Sequence, residues 1–345
     1  MKKAIILFNL GGPDSNESIE PFLFNLFNDP EILNLPTIFR YPLAKLISKR
    51  RRPIAEKIYS EIGGSSPILK LTIEQSKALE KKLNENTKNN IFKCFVVMRC
   101  WNPRANEVVN LVTEYDPNEI ILLPLYPQYS SATSGSSIKE WMEVSKKNNL
   151  NKPTKTICCY PTSEGFVNSH VELIKKKINN LKKCKIIFSA HGLPERNIKK
   201  GDPYQWQIEQ SVKKIIEKLK IDNLDYVLSY QSRVGPLKWI GPSTDDEIIK
   251  TSKENKTILL VPIAFVSEHS ETLVELDIEY KKLAEDNGCT SYHRVPALGT
   301  DNNFINSLYQ LVINTSSGEG DKNRYFPPQN KCPNNFNKCP CSVRV

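Results

Sequence analysis

The sequence lacks the marks of several large classes of protein. No stretch of it approaches the ~18 consecutive apolar residues from which a transmembrane helix is built. Its first residues pass directly into the apolar run 4–8, without the hydrophobic region and cleavage site of a secretory signal. Basic residues interleaved with aromatic ones, the pattern of a nucleic-acid-binding module, are also missing. These absences exclude a membrane span, predict a cytoplasmic protein and leave nucleic acid out of its partners.

The length, cysteine content and charge of the chain limit its possible fold and ligands. Its 345 residues suffice for a large core and two lobes. Nine cysteines in a protein expected in the cytoplasm indicate thiols or metal ligands rather than disulfides. The formal net charge is +10, and most lysine clusters are typical of solvated helix faces. The basic run 49–52 differs, because it adjoins an apolar segment and suits an anionic ligand or an anionic membrane surface.

Strand-like and helix-like segments alternate along the chain, and their order occurs twice. Three pairs of apolar runs correspond between the halves: 5–8 with 186–188, 95–99 with 226–230, and 120–124 with 258–262. The pattern predicts an α/β protein of two similar doubly wound, Rossmann-like domains, whose parallel sheets face each other across a cleft. We place the domains at residues 1–181 and 182–325, followed by a tail at 326–345.

An insertion at about residues 21–68 has no counterpart in the second half. It holds more aromatic residues and leucines than one short helix can bury. It is either an added pair of helices packed on the first domain or an apolar lip over the cleft. A lip would receive a flat apolar ligand or a bilayer surface.

His191 is the most informative single residue. It follows the buried strand 185–188, and ligands of open α/β sheets bind at the carboxyl ends of strands. An imidazole there can accept a proton or bind a metal, although a hydrogen-bonded structural histidine is the alternative. Leu10 holds the equivalent position in the first half, so the predicted cleft has an apolar group on one wall and a base on the other.

An acidic helix is predicted after the strand 258–265. On ideal helical spacing Glu268, Glu271, Glu275 and Glu279 share one face. Like charges at this spacing cost roughly 0.2–0.5 kcal/mol per pair, so they indicate either a ladder of oxygen ligands for a divalent cation or a solvated face. Together with His191, such a ladder would accept protons and handle a metal ion.

The C-terminal segment carries Cys332, Cys339 and Cys341 within ten residues that are rich in proline and asparagine. Such dense thiols in a cytosolic protein are more often metal ligands than disulfides. Three ligands leave one missing, and Cys158 or Cys159 can supply it.

Seven motifs together resemble those of the ferrochelatase family. They are Leu10-Gly11-Gly12-Pro13, Arg50-Arg51, Gly64-Ser65-Ser66-Pro67-Ile68, Tyr126-Pro127-Gln128-Tyr129-Ser130, Phe188-Ser189-Ala190-His191-Gly192-Leu193-Pro194, Gln231-Ser232-Arg233-Val234-Gly235-Pro236 and Glu268-His269-Ser270-Glu271-Thr272-Leu273. They occur in the family's order and span nearly the whole chain. The combination is therefore specific, although a single Gly-Gly-Pro or Gly-Leu-Pro would indicate little.

The resemblance implies a lyase that inserts Fe²⁺ into protoporphyrin IX, which forms protohaem in the last step of haem biosynthesis. It gives His191 and Glu271 the catalytic and iron-binding positions, with Glu275 and Glu268 continuing the acidic face. Porphyrin contacts would be made by Leu10, Arg50, Arg51, Ser66, Arg99, Tyr126 and Trp239. It also implies a membrane-facing lip, peripheral association with the inner face of the cell membrane and a porphyrin-donating enzyme as partner. A homodimer is compatible with the sequence, which leaves the oligomeric state open.

The tail resembles that of ferrochelatases with a [2Fe–2S] cluster. The resemblance implies Cys332, Cys339 and Cys341 as ligands. The distant cysteine of animal members falls at Ser131, so we choose Cys158 as the fourth ligand, with Zn²⁺ as the alternative to a cluster. Three other functions remain open: coproporphyrin III as substrate, a porphyrin carrier without catalysis, and an iron–sulfur electron-transfer protein. The coproporphyrin branch commonly has tyrosine at the position of Leu10, which favours protoporphyrin.

Overall fold

The structure is a computed structural model that describes residues 1–233, 237–317, 325–326, 332–333 and 335–341. Its strands are β1 Lys2–Asn9, β2 Ile91–Met98, β3 Glu119–Pro124, β4 Thr154–Ile157, β5 Cys184–His191, β6 Tyr226–Gln231, β7 Thr257–Pro262, β8 Tyr292–Arg294 and β9 Tyr325–Phe326. Its α-helices are α1 Ile19–Phe27, α2 Thr37–Ser60, α3 Ile68–Glu85, α4 Ala105–Tyr115, α5 Ser136–Lys147, α6 Glu164–Ile178, α7 Glu195–Lys199, α8 Tyr204–Leu219, α9 Thr244–Lys253, α10 Tyr280–Asp286 and α11 Asn302–Ser317. Within the described residues, Ser131–Gly135 and Glu271–Glu279 are π-helical.

The chain forms two compact units. The first comprises Met1–Tyr126, Ser130–Cys158 and the described residues of 308–327. The second comprises Pro127–Tyr129, Cys159–Ser307 and the described residues of 328–345. This division lies earlier than the predicted boundary at 181/182. Helix α6 belongs to the second unit because its Ser169 hydroxyl donates to Asp301, 2.6 Å away, beside the start of α11.

The first unit is built on a parallel sheet with the order β2-β1-β3-β4-β9. All residues of β1 except the first are buried, because the strand is central and both of its faces are covered. Phe8 packs edge-on against Trp141 of α5, with 6.1 Å between the ring centroids. Because β1 pairs in parallel with both β2 and β3, the carboxyl ends of these three strands lie at the same edge of the sheet.

The second unit has a parallel sheet with the order β6-β5-β7-β8. Strand for strand, this repeats the order β2-β1-β3-β4 of the first unit. The predicted α/β class with two similar, doubly wound halves is thus confirmed. Strands β5 and β7 are neighbours, so the end of β5, which carries His191, lies beside the start of the acidic segment that follows β7.

The insertion at residues 21–68 forms α1 and α2 and ends where α3 begins. Phe22 and Leu23 of α1 are buried against Tyr59 of α2, so α1 packs on the domain as an added helix would. Large apolar side chains are exposed at the start of α2, where Ile38 is 76% and Phe39 is 64% exposed. The packed helix of the first alternative therefore corresponds to α1, and the apolar surface of the second corresponds to the start of α2.

Within the described residues, no helix is long and apolar enough to cross a membrane.

Candidate active site

The site of the second unit begins at the ends of two paired strands. His191 is the last residue of β5, one position inside the strand rather than beyond it, and its register partner is Gln231, the last residue of β6. The next residue, Gly192, donates its backbone N–H to the Gln231 carbonyl at 2.8 Å. A side chain at position 192 would collide with that carbonyl, since a Cβ there would lie 2.8 Å from the oxygen. The glycine therefore lets the chain turn tightly behind the imidazole.

A carboxylate faces the imidazole at hydrogen-bond distance. His191 Nδ1 lies 2.9 Å from Oε2 of Glu271, the first residue of the π-helical segment. The His191 side chain is 43% exposed and that of Glu271 is 24% exposed. No hydrogen bond to Nε2 of His191 is made by the part of the chain that the structure describes. The second ring nitrogen is thus accessible to a substrate while the first is oriented by the acid.

Gln231 and Ser232 hold the acids in place. The Ser232 hydroxyl donates to Glu275 Oε2 at 2.6 Å, and the Ser232 backbone N–H donates to Glu275 Oε1 at 3.0 Å. Gln231 Nε2 lies 3.2 Å from Glu275 Oε2 and 3.4 Å from Glu271 Oε2. Neither role was predicted, although the register of β6 against His191 is a signal that points to Gln231. Residues 234–236 of the same motif lie outside the described residues.

His191, Glu271 and Glu275 shift one another's pKa values. Burial lowers the pKa of His191, but the carboxylates of Glu271 and Glu275 outweigh burial, so this pKa lies above its ordinary value. Burial also acts to raise the pKa of Glu271, but the adjacent His191 brings it well below the ordinary value. Burial and the charge of Glu271 together raise the pKa of Glu275. The site therefore joins a base, an ionised carboxylate and an acid that gains a proton readily.

The predicted ladder of four acids is divided in the structure. Glu268 precedes the helix and is held by Arg294, whose Nη1 lies 2.9 and 3.1 Å from its two oxygens. The same guanidinium binds Asp277 through Nε at 2.7 Å and Nη2 at 2.6 Å. Arg294 itself is only 9% exposed. These ion pairs count against Glu268 as a metal ligand, and the role of Arg294 was missed because nothing in the sequence links it to the acidic run.

The helix is also wider than the ideal geometry on which the ladder was based. Residues 271–279 are π-helical, a form often found at functional sites, so the spacing of side chains departs from the 3.6-residue period. Glu279 is exposed at the far end of this segment. Leu276 and Tyr280 of the same stretch are buried in the core of the second unit. Of the four acids in the predicted ladder, Glu271 and Glu275 therefore lie beside His191.

In the first unit, three predicted porphyrin contacts follow the ends of neighbouring strands. Leu10 follows β1, Arg99 follows β2, and Tyr126 comes two residues after β3. Leu10 and Tyr126 are half-buried against the apolar core. The Tyr126 hydroxyl is buried without a hydrogen-bond partner among the described residues. Ser66 lies at the same edge, where it packs so closely on Gly12 that a Cβ there would be 2.5 Å from its hydroxyl.

The predicted arginines differ in what they bind. The Arg99 guanidinium pairs with Asp29 at 2.8 Å and with Glu140 at 3.3 Å, and it is 12% exposed. These internal partners count against Arg99 as a site for a propionate. Arg50 is exposed and Arg51 is half-buried, and the ion pairs found in the described ranges include neither of them. Their charges are thus available to an anionic ligand.

Trp239 lies close to the candidate base. It forms a β-bridge with Pro194, and its ring carbon Cε3 would be 3.1 Å from a Cβ at Gly192. Trp239, a predicted apolar contact of the porphyrin, therefore lies beside Gly192, the residue that follows His191.

The cysteines of the tail meet a cysteine of the second unit. Gln207 Nε2 on α8 lies 3.1 Å from Cys332 Sγ and 3.4 Å from Cys159 Sγ. A hydrogen bond with Cys339, together with burial, raises the pKa of Cys332 far above its usual range. The structure thus brings Cys159 beside Cys332, and the predicted ligand Cys158 is the adjacent buried residue. No disulfide joins the described cysteines, and no group of three or more His, Cys, Asp or Glu side chains in the described ranges could hold a metal ion.

Comparison with known proteins identifies the family. The family model described as Ferrochelatase matches residues 2–316. The chain is 69% identical over 341 residues to the ferrochelatase of Pelagibacter ubique strain HTCC1062, with 99% of each chain covered. It is 51% identical over 348 residues to that of Rickettsia felis, again with 99% of each covered.

Among solved structures, SirB from Bacillus subtilis with Fe³⁺ matches with a TM-score of 0.55 at 11% identity, covering 92% of this chain and 96% of SirB. This likeness supports the chelatase-like fold alone. The sequence relationships reach further, because they extend over nearly the full length and so include the segments that carry His191 and Glu271. The chain belongs to the ferrochelatase family.

Proposed function

We propose that the protein inserts Fe²⁺ into protoporphyrin IX and so forms protohaem. The observation that carries this proposal is the His191–Glu271 pair, 2.9 Å apart, with Glu275 held beside it by Ser232. Insertion replaces the two pyrrole N–H protons of the porphyrin with one Fe²⁺, so two protons must leave. The accessible Nε2 of His191 accepts a pyrrole proton, and the carboxylates of Glu271 and Glu275 stabilise the resulting imidazolium and take up a proton.

We also propose which residues bind the porphyrin. The ring is apolar on both faces and carries carboxylates on one edge, so it requires apolar walls and cations at the rim. Leu10, Tyr126 and Trp239 provide the apolar contacts. The free charges of Arg50 and Arg51, with the Ser66 hydroxyl, suit the propionates better than the internally paired Arg99 does.

Anaerobic incubation with Fe²⁺ and either porphyrin tests this function. We expect the fluorescence of protoporphyrin IX to disappear as haem forms, and faster than that of coproporphyrin III, because apolar Leu10 suits the less polar ring. A faster reaction with coproporphyrin III would reassign the substrate. Tight binding of both rings without loss of fluorescence would indicate a carrier.

We propose that the start of α2 contacts an anionic membrane surface at the inner face of the cell membrane. The surface is defined by Ile38, Phe39 and Tyr41, which are 76%, 64% and 52% exposed. Lys49 and Arg50 are exposed further along the same helix. Apolar burial combined with basic charge is the requirement for peripheral binding. A porphyrin-donating enzyme is the alternative partner for this surface, and a homodimer would be a second.

The double variant Ile38→Glu/Phe39→Glu should lose most flotation with anionic vesicles, because it removes the most exposed apolar side chains and adds like charge. Flotation of the wild type at low salt sets the reference. Ile91→Glu is the matched control, since Ile91 is 62% exposed on β2, away from α2. A wild-type protein that does not float at low salt would leave these residues without a membrane role.

We propose that the tail thiols hold a [2Fe–2S] cluster with Cys332, Cys339, Cys341 and Cys159 as ligands. Support comes from the shared contact of Cys159 and Cys332 with Gln207 and from the hydrogen bond between Cys332 and Cys339. Among the described residues no three ligands are already in place for a metal, so the thiols would have to move closer together to hold a cluster. Such a cluster would tie the tail to the second unit and contribute to stability.

The purified protein should be reddish-brown, bleach with a reductant and contain about two cluster irons per chain. Cys339→Ser should lose the colour and much of the folded yield. Cys159→Ser should do the same, whereas the adjacent Cys158→Ser should keep the colour. A colourless protein with one zinc per chain would replace the cluster with Zn²⁺, and a metal-free, fully active protein would remove it.

A further inference from the structure

A buried tyrosine is hydrogen-bonded to the backbone of the candidate base. The hydroxyl of Tyr204 donates to the backbone carbonyl of His191 at 3.1 Å. Tyr204 is the first residue of α8, and only 7% of it is exposed. Because this hydrogen bond is made to the main chain of His191, it restrains the position of the backbone that carries the imidazole. It uses neither ring nitrogen.

The C-terminal tail docks on the same end of α8. The Lys338 backbone N–H donates to the carbonyl of Gly201 at 3.1 Å, and the Phe336 ring packs on Trp206 with 5.8 Å between centroids. Asn337 fits so closely that a Cβ at Gly201 would lie 2.2 Å from its Oδ1. The docked segment, residues 336–338, therefore contacts the turn before α8 and its first turn, on both sides of Tyr204.

These contacts form a continuous chain within the second unit. Residues 336–338 hold the start of α8, the start of α8 holds Tyr204, and Tyr204 holds His191. We propose that Tyr204 is a positioning residue for iron insertion and that the docked tail fixes it there. This inference rests on the function proposed above, but it assigns the tail an effect on the rate of insertion that does not depend on which metal its thiols bind.

Tyr204→Phe removes the hydroxyl alone. We expect kcat for iron insertion to fall about tenfold with KM for protoporphyrin IX unchanged, because a small displacement of a reacting group is costly while the porphyrin contacts remain. Tyr230→Phe is the matched control, since Tyr230 is a buried tyrosine of the same unit whose hydroxyl has no hydrogen-bond partner among the described residues. Its kcat should stay within twofold of the wild type.

Phe336→Ala tests the tail without removing a thiol. We expect about a fivefold fall in kcat in the wild-type background and less than twofold in the Tyr204→Phe background, because residues that act through one another are not additive. Phe336→Leu, which keeps an apolar contact with Trp206, should restore most of the rate. Melting temperatures identify any variant that is unfolded. If Phe336→Ala is unfolded, kcat of Phe336→Leu is compared in the two backgrounds instead.

The outcomes separate this inference from the proposed function. A wild-type protein that consumes no porphyrin would overturn both. An active wild type with an unchanged kcat in Tyr204→Phe would overturn only the positioning role. Equal, additive losses from Phe336→Ala in both backgrounds would overturn the link between the tail and Tyr204.

Discussion

His191→Ala should slow iron insertion by ~10²-fold or more and leave porphyrin binding close to that of the wild type. The loss is large because the variant removes the imidazole that bonds Glu271 and whose Nε2, free of hydrogen bonds among the described residues, can accept a pyrrole proton. Binding persists because the proposed apolar and basic porphyrin contacts lie on other residues. Fixed-time assays of haem formation measure the rate of insertion. Quenching of fluorescence on titration with porphyrin measures binding separately.

His293→Ala is the control for the loss of an imidazole. His293 is half-buried on β8, and its Nε2 lies 2.8 Å from the Ser291 hydroxyl, away from the acids. We expect this variant to keep near-normal turnover. Near-normal turnover in His191→Ala as well would end the assignment of the base.

Glu271→Gln should lose on the order of 10²-fold in activity, whereas Glu279→Gln should remain close to the wild type. Both substitutions remove one carboxylate from the same helical segment. Glu271 faces His191, so its loss removes the charge that raises the pKa of His191 and weakens the base. Glu279 is exposed to solvent.

The dependence of activity on pH tests the His191–Glu271 pair independently. The pKa of His191 lies above its ordinary value because Glu271 stabilises the imidazolium, so the fall in activity on acidification should shift to lower pH in Glu271→Gln. Equal and mild losses in Glu271→Gln and Glu279→Gln would mean that the acidic face is only a solvated surface.

Much of this fold could be predicted because it depends on local patterns. Apolar runs such as 5–8 and 186–188 must be buried wherever they lie, and their repeated order determines two parallel sheets. His191 was placed from the same logic, since the residue at the end of a buried strand lies where parallel sheets bind ligands. Glu271 followed because β7 and β5 are neighbours in the repeat.

The corrections came from interactions between residues distant in the sequence. Arg294 lies 26 residues from Glu268, and no local pattern connects them. The acid partners of Arg99 are equally remote: Asp29 precedes it by 70 positions and Glu140 follows it by 41. The π-helical geometry escaped prediction because the sequence period alone assumes an ideal α-helix. No local pattern separates the adjacent Cys158 and Cys159; the contact that favours Cys159, through Gln207 to Cys332, joins residues far apart in the sequence.

The burial of Arg294 has a consequence for how this protein responds to ionic strength. Mobile ions screen exposed charges over about 10 Å at 0.1 M salt, but they enter a buried ion pair poorly. Arg294 meets Glu268 and Asp277 with only 9% of its side chain exposed, so added salt should hardly weaken these ion pairs. Lys49 and Arg50 are exposed, and their attraction to an anionic surface should weaken as salt is added. If the proposed membrane binding holds, a salt titration should detach the protein from anionic vesicles while the buried ion pairs of Arg294 stay intact.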